Sequence, residues 1–485
     1  KEEKGQVPMA WTLSKRLFYT AIFISGSSAL VYQLIWVRLL GLVFGVSSFA
    51  VATVVAVFLL GLGLGSYFFG KWSERTGNPL RIYMYVEVCI AVTSLASYLV
   101  IDHLPVYRYL YESAYNSLDL YGMSVVRLLL SVAVLLPPVF FIGGTMPLIA
   151  KYSLTASTTF GSGFSRIYYL NTLGAFAGAL LTGFVLVRFL GVFVTLMLAV
   201  AGNLLVAAII VVGKSESAPL PESTEANTPY SYMLFILFLT GFISLGYEVL
   251  WVRILSTYGL STSQAFALIV AGFLLGFSIG SFLVSRTIDH RHDLESWFSG
   301  VCILTALSGA LVLFLFRKFE TLTLLLEQSL SVGYLNASMA LAFVVSLIPA
   351  VFMGILFPLG LRIYAHDVQQ IGAKAGKILF SNTAGCVLGS LLTGFVLIPF
   401  AGMWNTTLIL VNLSLLIALV LLLRVRDVSR ARWAALLLVG VLANLLVFSD
   451  SKTFHKEVNG LRVVYYAEGL SGTVSVLGID QYRGV

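Results

Sequence analysis

Charge is what this chain lacks. Of its 485 residues, 30 are Lys or Arg and 22 are Asp or Glu, so only 11% are charged. A water-soluble chain carries roughly 25%; the deficit excludes an ordinary soluble domain and puts most of the chain in lipid. Cysteine is scarce as well. Cys89, Cys302 and Cys386 stand singly in apolar text with no CxxC pair, which excludes a disulfide framework and a zinc–thiolate site and leaves three small buried residues. Five histidines are scattered; His290 and His292 are close, but in a charged loop without a further ligand, so no metal site is expected. No signal peptide with a small-residue cleavage site precedes the first apolar run, and that run is expected to act as its own targeting signal.

What is abundant is apolar residues, 59% of the chain. At about 20 residues per crossing, thirteen segments read as spans: 17–40, 46–70, 82–101, 126–150, 167–187, 192–213, 231–255, 262–285, 297–316, 335–361, 377–399, 403–423 and 433–448, the last the shortest. The text is written twice. Residues 25–42, SGSSALVYQLIWVRLLGL, match residues 240–257, TGFISLGYEVLWVRILST, placing Tyr32 on Tyr247, Trp36 on Trp251 and Arg38 on Arg253 at an offset of 215. The same offset pairs Gly61 with Gly276, Gly65 with Gly280 and Ser66 with Ser281. Further on the offset is 211: Pro138, Gly143 and Pro147 match Pro349, Gly354 and Pro358, and YLNTLGAFAGALLTGFVL (169–186) matches FSNTAGCVLGSLLTGFVL (380–397), with Asn171 on Asn382. A register held over several apolar segments is a tandem duplication. With six spans in each copy the repeats run parallel, related by an axis along the membrane normal. The fold class expected is an all-α polytopic membrane protein: a first six-helix repeat over 1–214, a Ser/Pro/Glu-rich linker over 215–229, a second repeat over 230–424, a thirteenth helix within 425–449, and over 450–485 the first β-strands of a soluble domain. Alternation in RVVYYAE and TVSVLGID carries the last expectation. Glycines four apart allow close helix approach.

With the N-terminus cytoplasmic, nineteen of the Lys and Arg residues fall on the inner side, seven on the outer side and four in the tail after residue 449. This asymmetry predicts a multi-pass membrane protein with a cytoplasmic N-terminus, its tail outside if 433–448 crosses and inside if it does not, and assigns the net charge of +8 to a membrane face, not to nucleic acid. An outer stretch, 102–126, carries five tyrosines and reads as interface-anchored amphipathic structure.

Ionisable and amide groups inside spans are the candidate sites, because lipid penalises them unless they face a cavity or a partner. Glu248 stands deep in the seventh span, where its repeat mate is Gln33. Glu87 lies in the third span opposite Gly300. The acids thus break the symmetry of the scaffold, and Glu248 could bind a proton or a cationic amine; neutralisation by Arg253 or a tyrosine hydroxyl is the alternative. Asn171 and Asn382 could join helices or line a cavity.

Two stretches carry a family resemblance. The loop GKWSERTGN (70–78) resembles the one after the second span of major-facilitator proteins, with Gly70, Glu74, Arg75 and Gly77 in order; its second copy, SRTIDHRHD, keeps Asp289. The resemblance implies that Glu74, Arg75 and Asp289 latch an inner gate. The doubled SGxxxLxYQxxWxR text, the GLGLGS run (61–66) and YYAEGLSGTVSVL (465–477) resemble bacterial membrane proteins in which a major-facilitator-like region is fused to a spermidine-synthase-like domain. That implies a membrane-anchored aminopropyltransferase acting on polyamines, with decarboxylated S-adenosylmethionine as co-substrate. The catalytic residues of such a domain have no counterpart in this chain, and no cofactor site is expected in it. Two other readings stand beside it: a transporter of polyamines or another small cation, and a membrane scaffold that docks a periplasmic protein or a second copy of itself.

Overall fold

A computed structural model describes residues 14–44, 48–103, 105–115, 118, 120–155, 160–213, 230–258, 263–291, 293–365, 370–424, 433–434 and 436–442, and the backbone of 457–458, 461–468 and 473–478. The expected linker 215–229 and the end of the thirteenth apolar segment lie outside these residues. Of that segment, 433–434 and 436–442 are helical.

The first half runs α1 (Lys15–Phe44), α2 (Ser48–Ser73), α3 (Pro79–His103), α4 (Pro105–Tyr115), α5 (Leu120–Thr155), α6 (Phe160–Leu181) and α7 (Val187–Val212). The second repeats it as α8 (Tyr232–Thr257), α9 (Ser263–Ser285), α10 (Leu294–Arg317), α11 (Phe319–Leu330), α12 (Tyr334–Tyr364), α13 (Ile371–Leu392) and α14 (Ile398–Arg424). In the tail, β1 (Glu457–Val458), β2 (Leu461–Glu468) and β3 (Thr473–Gly478) form an antiparallel sheet in chain order.

Ten apolar helical stretches are long enough to cross a bilayer, and two of them, Gly161–Val212 and Ile371–Arg424, hold 52 and 54 residues. At 1.5 Å per residue each would reach about 80 Å, far beyond a hydrocarbon core of about 30 Å. Each is broken by one glycine with left-handed backbone, Gly191 (φ 77°) and Gly402 (φ 80°), which are repeat mates. The chain doubles back there. Gly178 packs on Ser27 of α1 and Gly202 on Ser28, so residues 24 apart lie at one depth with Gly191 midway. Gly246 of α8 likewise meets both Thr393 and Leu410, on either side of Gly402. The described residues therefore make twelve crossings, six per half. Just before each turn the shared text TGFVL forms a π-helical turn, Thr182–Leu186 and Thr393–Leu397.

Glycine spacing sets the packing. Gly65 of α2 sits against the Phe140 carbonyl of α5, and Gly280 of α9 against the Val351 carbonyl of α12; Gly174 and Gly385 meet the carbonyls of Phe23 and Phe238 in the same way. With no hydrophobic drive between helices in lipid, such close backbone contact is what holds a bundle together. Each doubled aromatic set is buried alike: Tyr32 stacks on Trp36 and Tyr247 on Trp251, with Phe58 and Phe273 beside the indoles. The halves meet where α2 packs on α13 and α6 on α9. The tyrosine-rich stretch forms α4, with Tyr111 buried and Tyr109 and Tyr115 exposed. An equivalent short helix, α11, occupies the same place in the second half.

Gly65→Ala and Gly280→Ala each force a methyl group onto a neighbouring carbonyl, an overpacking cost of about 1–3 kcal/mol. Gly191, at φ 77° and ψ 174°, holds a backbone open essentially to glycine alone, so Gly191→Ala costs about 1–3 kcal/mol. Gly41, with open space around it, tolerates the same change. Thermal unfolding in detergent should place all three variants below Gly41→Ala, and equal melting temperatures for Gly65→Ala and Gly41→Ala would contradict the packing described.

Candidate functional site

The first cluster joins the halves at their Lys/Arg-rich end. The first N–H groups of any helix lack acceptors within it. At the start of α13, Gly372 and Ala373 donate theirs to Glu74 Oε1 at 2.7 and 3.2 Å. At the start of α6, Gly161 and Ser162 donate to the two carboxylate oxygens of Asp289, both at 2.9 Å. Glu74 and Asp289 are mates at offset 215, and the residues they cap are mates at offset 211. Each acid follows the second span of one half and caps the fifth span of the other, where the positive end of the helix dipole favours a carboxylate. Lys151, almost fully buried at the end of α5, pairs with Glu74. Its mate is Arg362 of α12, whose side chain lies by Gly161 at the Asp289 cap. Backbones close the seam between: Gly70 meets the Gly372 carbonyl, Gly376 meets that of Ser66, and Ser281 Oγ donates to the Ser165 carbonyl at 2.9 Å.

Arg75 takes no part among the described residues; it is exposed, and Lys151 supplies the base. Lys151 could have been noticed in the text, since it and Arg362 keep a positive charge in register where little else is charged.

Glu248 lies on α8 in the interior beside Cys386 of α13, enclosed by protein yet partly accessible. Its carboxyl makes no hydrogen bond or ion pair among the described residues, with Arg253 or with any tyrosine. Gln33 holds the matching place on α1 and is also partly accessible. Each follows a buried Tyr of the doubled text, so the chemical difference falls at one equivalent position of the two halves.

The asparagines act between helices. The Asn382 Nδ2 donates to the Leu237 carbonyl at 3.0 Å. The backbone carbonyl of Asn171 lies under Gly26, and that of Asn382 under Gly241. Glu87 is elsewhere, sealed inside the first half at 0% exposure. Ser25 Oγ donates to its Oε1 at 2.6 Å and Asn203 Nδ2 to its Oε2, while the Tyr32 hydroxyl donates to Asn203 Oδ1 at 2.9 Å. Ser25 and Asn203 carry no signal of their own in the sequence; only packing of α1, α3 and α7 assembles them. No group of three or more metal-ligating side chains occurs among the described residues.

By sequence, no protein-family model and no curated protein matches the chain. By structure, solved transporters do. The chain is similar to the E. coli fucose:proton symporter FucP at 11% identity and TM-score 0.55, covering 85% of this chain and 98% of that one. It is similar to the nucleoside transporter NupG at 13% and 0.52, covering 84% and 98%. A bacterial homologue of the iron transporter ferroportin, in an outward-facing state, matches at 12% and 0.51, covering 87% and 99%. These likenesses establish the fold: two six-span halves in the arrangement of major-facilitator transporters.

Removing Glu74 strips a helix cap, worth about 1 kcal/mol, and leaves the buried Lys151 without that carboxylate, a larger cost. Glu74→Ala should therefore lower the melting temperature by more than the loss of a cap alone, and adding Lys151→Met should recover part of the loss. A Glu74→Ala/Lys151→Met variant no more stable than Glu74→Ala would show that the pair is incidental.

Proposed function

We propose that the membrane region is a transporter that moves a small cationic solute, a polyamine or another organic cation, between its two halves, with Glu248 as the counter-charge. The observation that carries this reading is the solitary carboxyl of Glu248. Among the described residues it has no basic or hydrogen-bonding partner; an acid enclosed at membrane depth in that state is costly, and a cationic solute arriving beside it would remove that cost. The scaffold around it is nearly symmetric, and Gln33 on the opposite side offers an amide in place of a second charge. A substrate held there would meet one charged and one neutral wall.

The contacts of Glu74 and Asp289 fit the reading. Both bind the halves at one end only, through caps that separate if the halves rock apart. In that event the helix starts of α6 and α13 would be hydrated, and the solute space would open to the Lys/Arg-rich side.

The fold likeness, which spans most of the chain, supports transport over the aminopropyl-transfer and docking readings. It bears on the helical region alone. Nothing in the described residues bears on polyamine synthesis.

The test is uptake by proteoliposomes of labelled putrescine, spermidine and a monovalent organic cation. Wild-type protein is expected to accumulate at least one. Glu248→Gln should reduce that uptake a hundredfold or more, since breaking a buried ion pair costs roughly 3 kcal/mol. Uptake untouched by Glu248→Gln would remove the residue from the site, and uptake of neutral solutes only would overturn the cation assignment.

A further inference from the structure

At the Lys/Arg-rich end, cations stand beside both seams between the halves, outside the caps. Lys71 of α2 and Lys377 of α13 flank one seam; Arg286, just past the end of α9, and Arg166 of α6 flank the other. Lys71 and Arg286 are mates at offset 215, and Arg166 and Lys377 are mates at offset 211. All of them are exposed and lie within two turns of a helix end. None forms an ion pair with an acid among the described residues.

Each pair sets one charge from each half beside two rings that meet across the seam. Tyr67 meets Phe380 with ring centres 5.4 Å apart, and Tyr169 meets Phe282 at 5.3 Å. The Lys71 ammonium stands 4.3 Å from the centre of the Tyr67 ring, and the Arg286 guanidinium 4.4 Å from that of Phe282. Lys377 also lies close to Tyr67, because Gly70 and Gly376 bring the two backbones together one residue before each lysine.

These rings lie on the lipid side of the seam. Leu60, Leu64 and Phe68 share the Tyr67 face of α2, Leu388 and Leu392 follow Phe380 along α13, and all are exposed. At the other seam Leu283 of α9 and Leu181 of α6 are exposed in the same way. Such rows of exposed apolar side chains are solvated by acyl chains. Single cations near a membrane face reach outward to water, which accounts for a scatter of Lys and Arg but not for this placement. Here the charges recur at both seams, one from each half, and of one type at each: Lys with Lys, Arg with Arg. Like charges beside one ring pair repel, and an anion between them removes the repulsion.

We infer that each seam binds the phosphate of an anionic phospholipid from the leaflet on the Lys/Arg-rich side. One cation of each half holds the phosphate, and the acyl chains run along the exposed apolar row. Basic pockets between helices on that side of a membrane suit such headgroups. A lipid bound there ties the halves together alongside the caps, from outside the bundle.

The test is native mass spectrometry of the full chain in detergent, titrated with phosphatidylglycerol or with phosphatidylcholine. Wild type is expected to hold two phosphatidylglycerol molecules and to prefer them clearly over phosphatidylcholine. Lys71→Gln/Lys377→Gln and Arg166→Gln/Arg286→Gln should each weaken one site about thirtyfold, about 1 kcal/mol for each cation removed. The quadruple variant should hold neither lipid at the concentration that fills wild type. Lys71→Arg/Lys377→Arg, which makes the first seam resemble the second, should keep both. Arg81→Gln/Arg424→Gln removes the same charge at exposed positions of α3 and α14, away from the seams, and should bind as wild type does. Equal binding of phosphatidylcholine, or a quadruple variant that matches Arg81→Gln/Arg424→Gln, would overturn the proposal. Displacement of the lipid by an equal concentration of inorganic phosphate would give the sites to a soluble anion and overturn it as well.

Discussion

The unsatisfied N–H groups at the starts of α6 and α13 are the constraint on which the arrangement of the halves depends. Within a membrane protein, every backbone polar group must find a partner inside the protein or in water. These two helices find theirs in the opposite half, at Asp289 and Glu74. The seam therefore combines charge–dipole contacts and close backbone approach at this end with ring contacts further along, Tyr67 on Phe380, Tyr168 on Phe357 and Tyr169 on Phe282. Such a seam is strong while water is excluded and weak once water enters, because water offers the same N–H groups an alternative acceptor. That is the property a two-state contact between rigid halves needs.

Within each half the opposite holds. Glycine against carbonyl, repeated at Gly65, Gly174, Gly280 and Gly385, fixes helices at distances where any added atom collides. The buried Tyr–Trp–Phe sets fill the wider gaps. Rigid halves and a hydratable seam are complementary: motion is confined to the interface because it has nowhere else to go. Two enclosed acids break the symmetry of this frame. Glu248 is enclosed where the other copy has Gln33, and Glu87 where the other copy has Gly300 and an indole.

Much of this was legible in the text. The two offsets, 215 and 211, yield the duplication and hence parallel six-span halves. They also place Asp289 opposite Glu74, because an acid kept in register in an almost uncharged chain is conspicuous. Helix breaks were legible as gaps between apolar runs at 188–191 and 400–402, though not that a single glycine makes each turn. What could not be read were partners distant in sequence. Lys151 pairs with Glu74 where Arg75, the adjacent base, had been expected, because the turn that follows α2 leaves Arg75 exposed while the end of α5 packs at the cap. Ser25 and Asn203 are ordinary residues that become a carboxyl's cage only once three helices pack. The short helix α11 was missed although its text, FETLTLLLEQSL, is amphipathic, because it is too short to cross a bilayer and lies between two long spans.

The central claim is that the halves are held at one end by the Glu74 and Asp289 caps and exchange that contact for closure at the other end. Paired spin labels read both ends at once: Lys71 with Lys377 at the capped end, and Leu42 with Ser256 at the other, measured in lipid with the caps intact and in Glu74→Ala/Asp289→Ala. The account predicts that removing the caps lengthens the Lys71–Lys377 distance and shortens the Leu42–Ser256 distance in the same molecules. Lengthening at both ends, or no change at either, would contradict it.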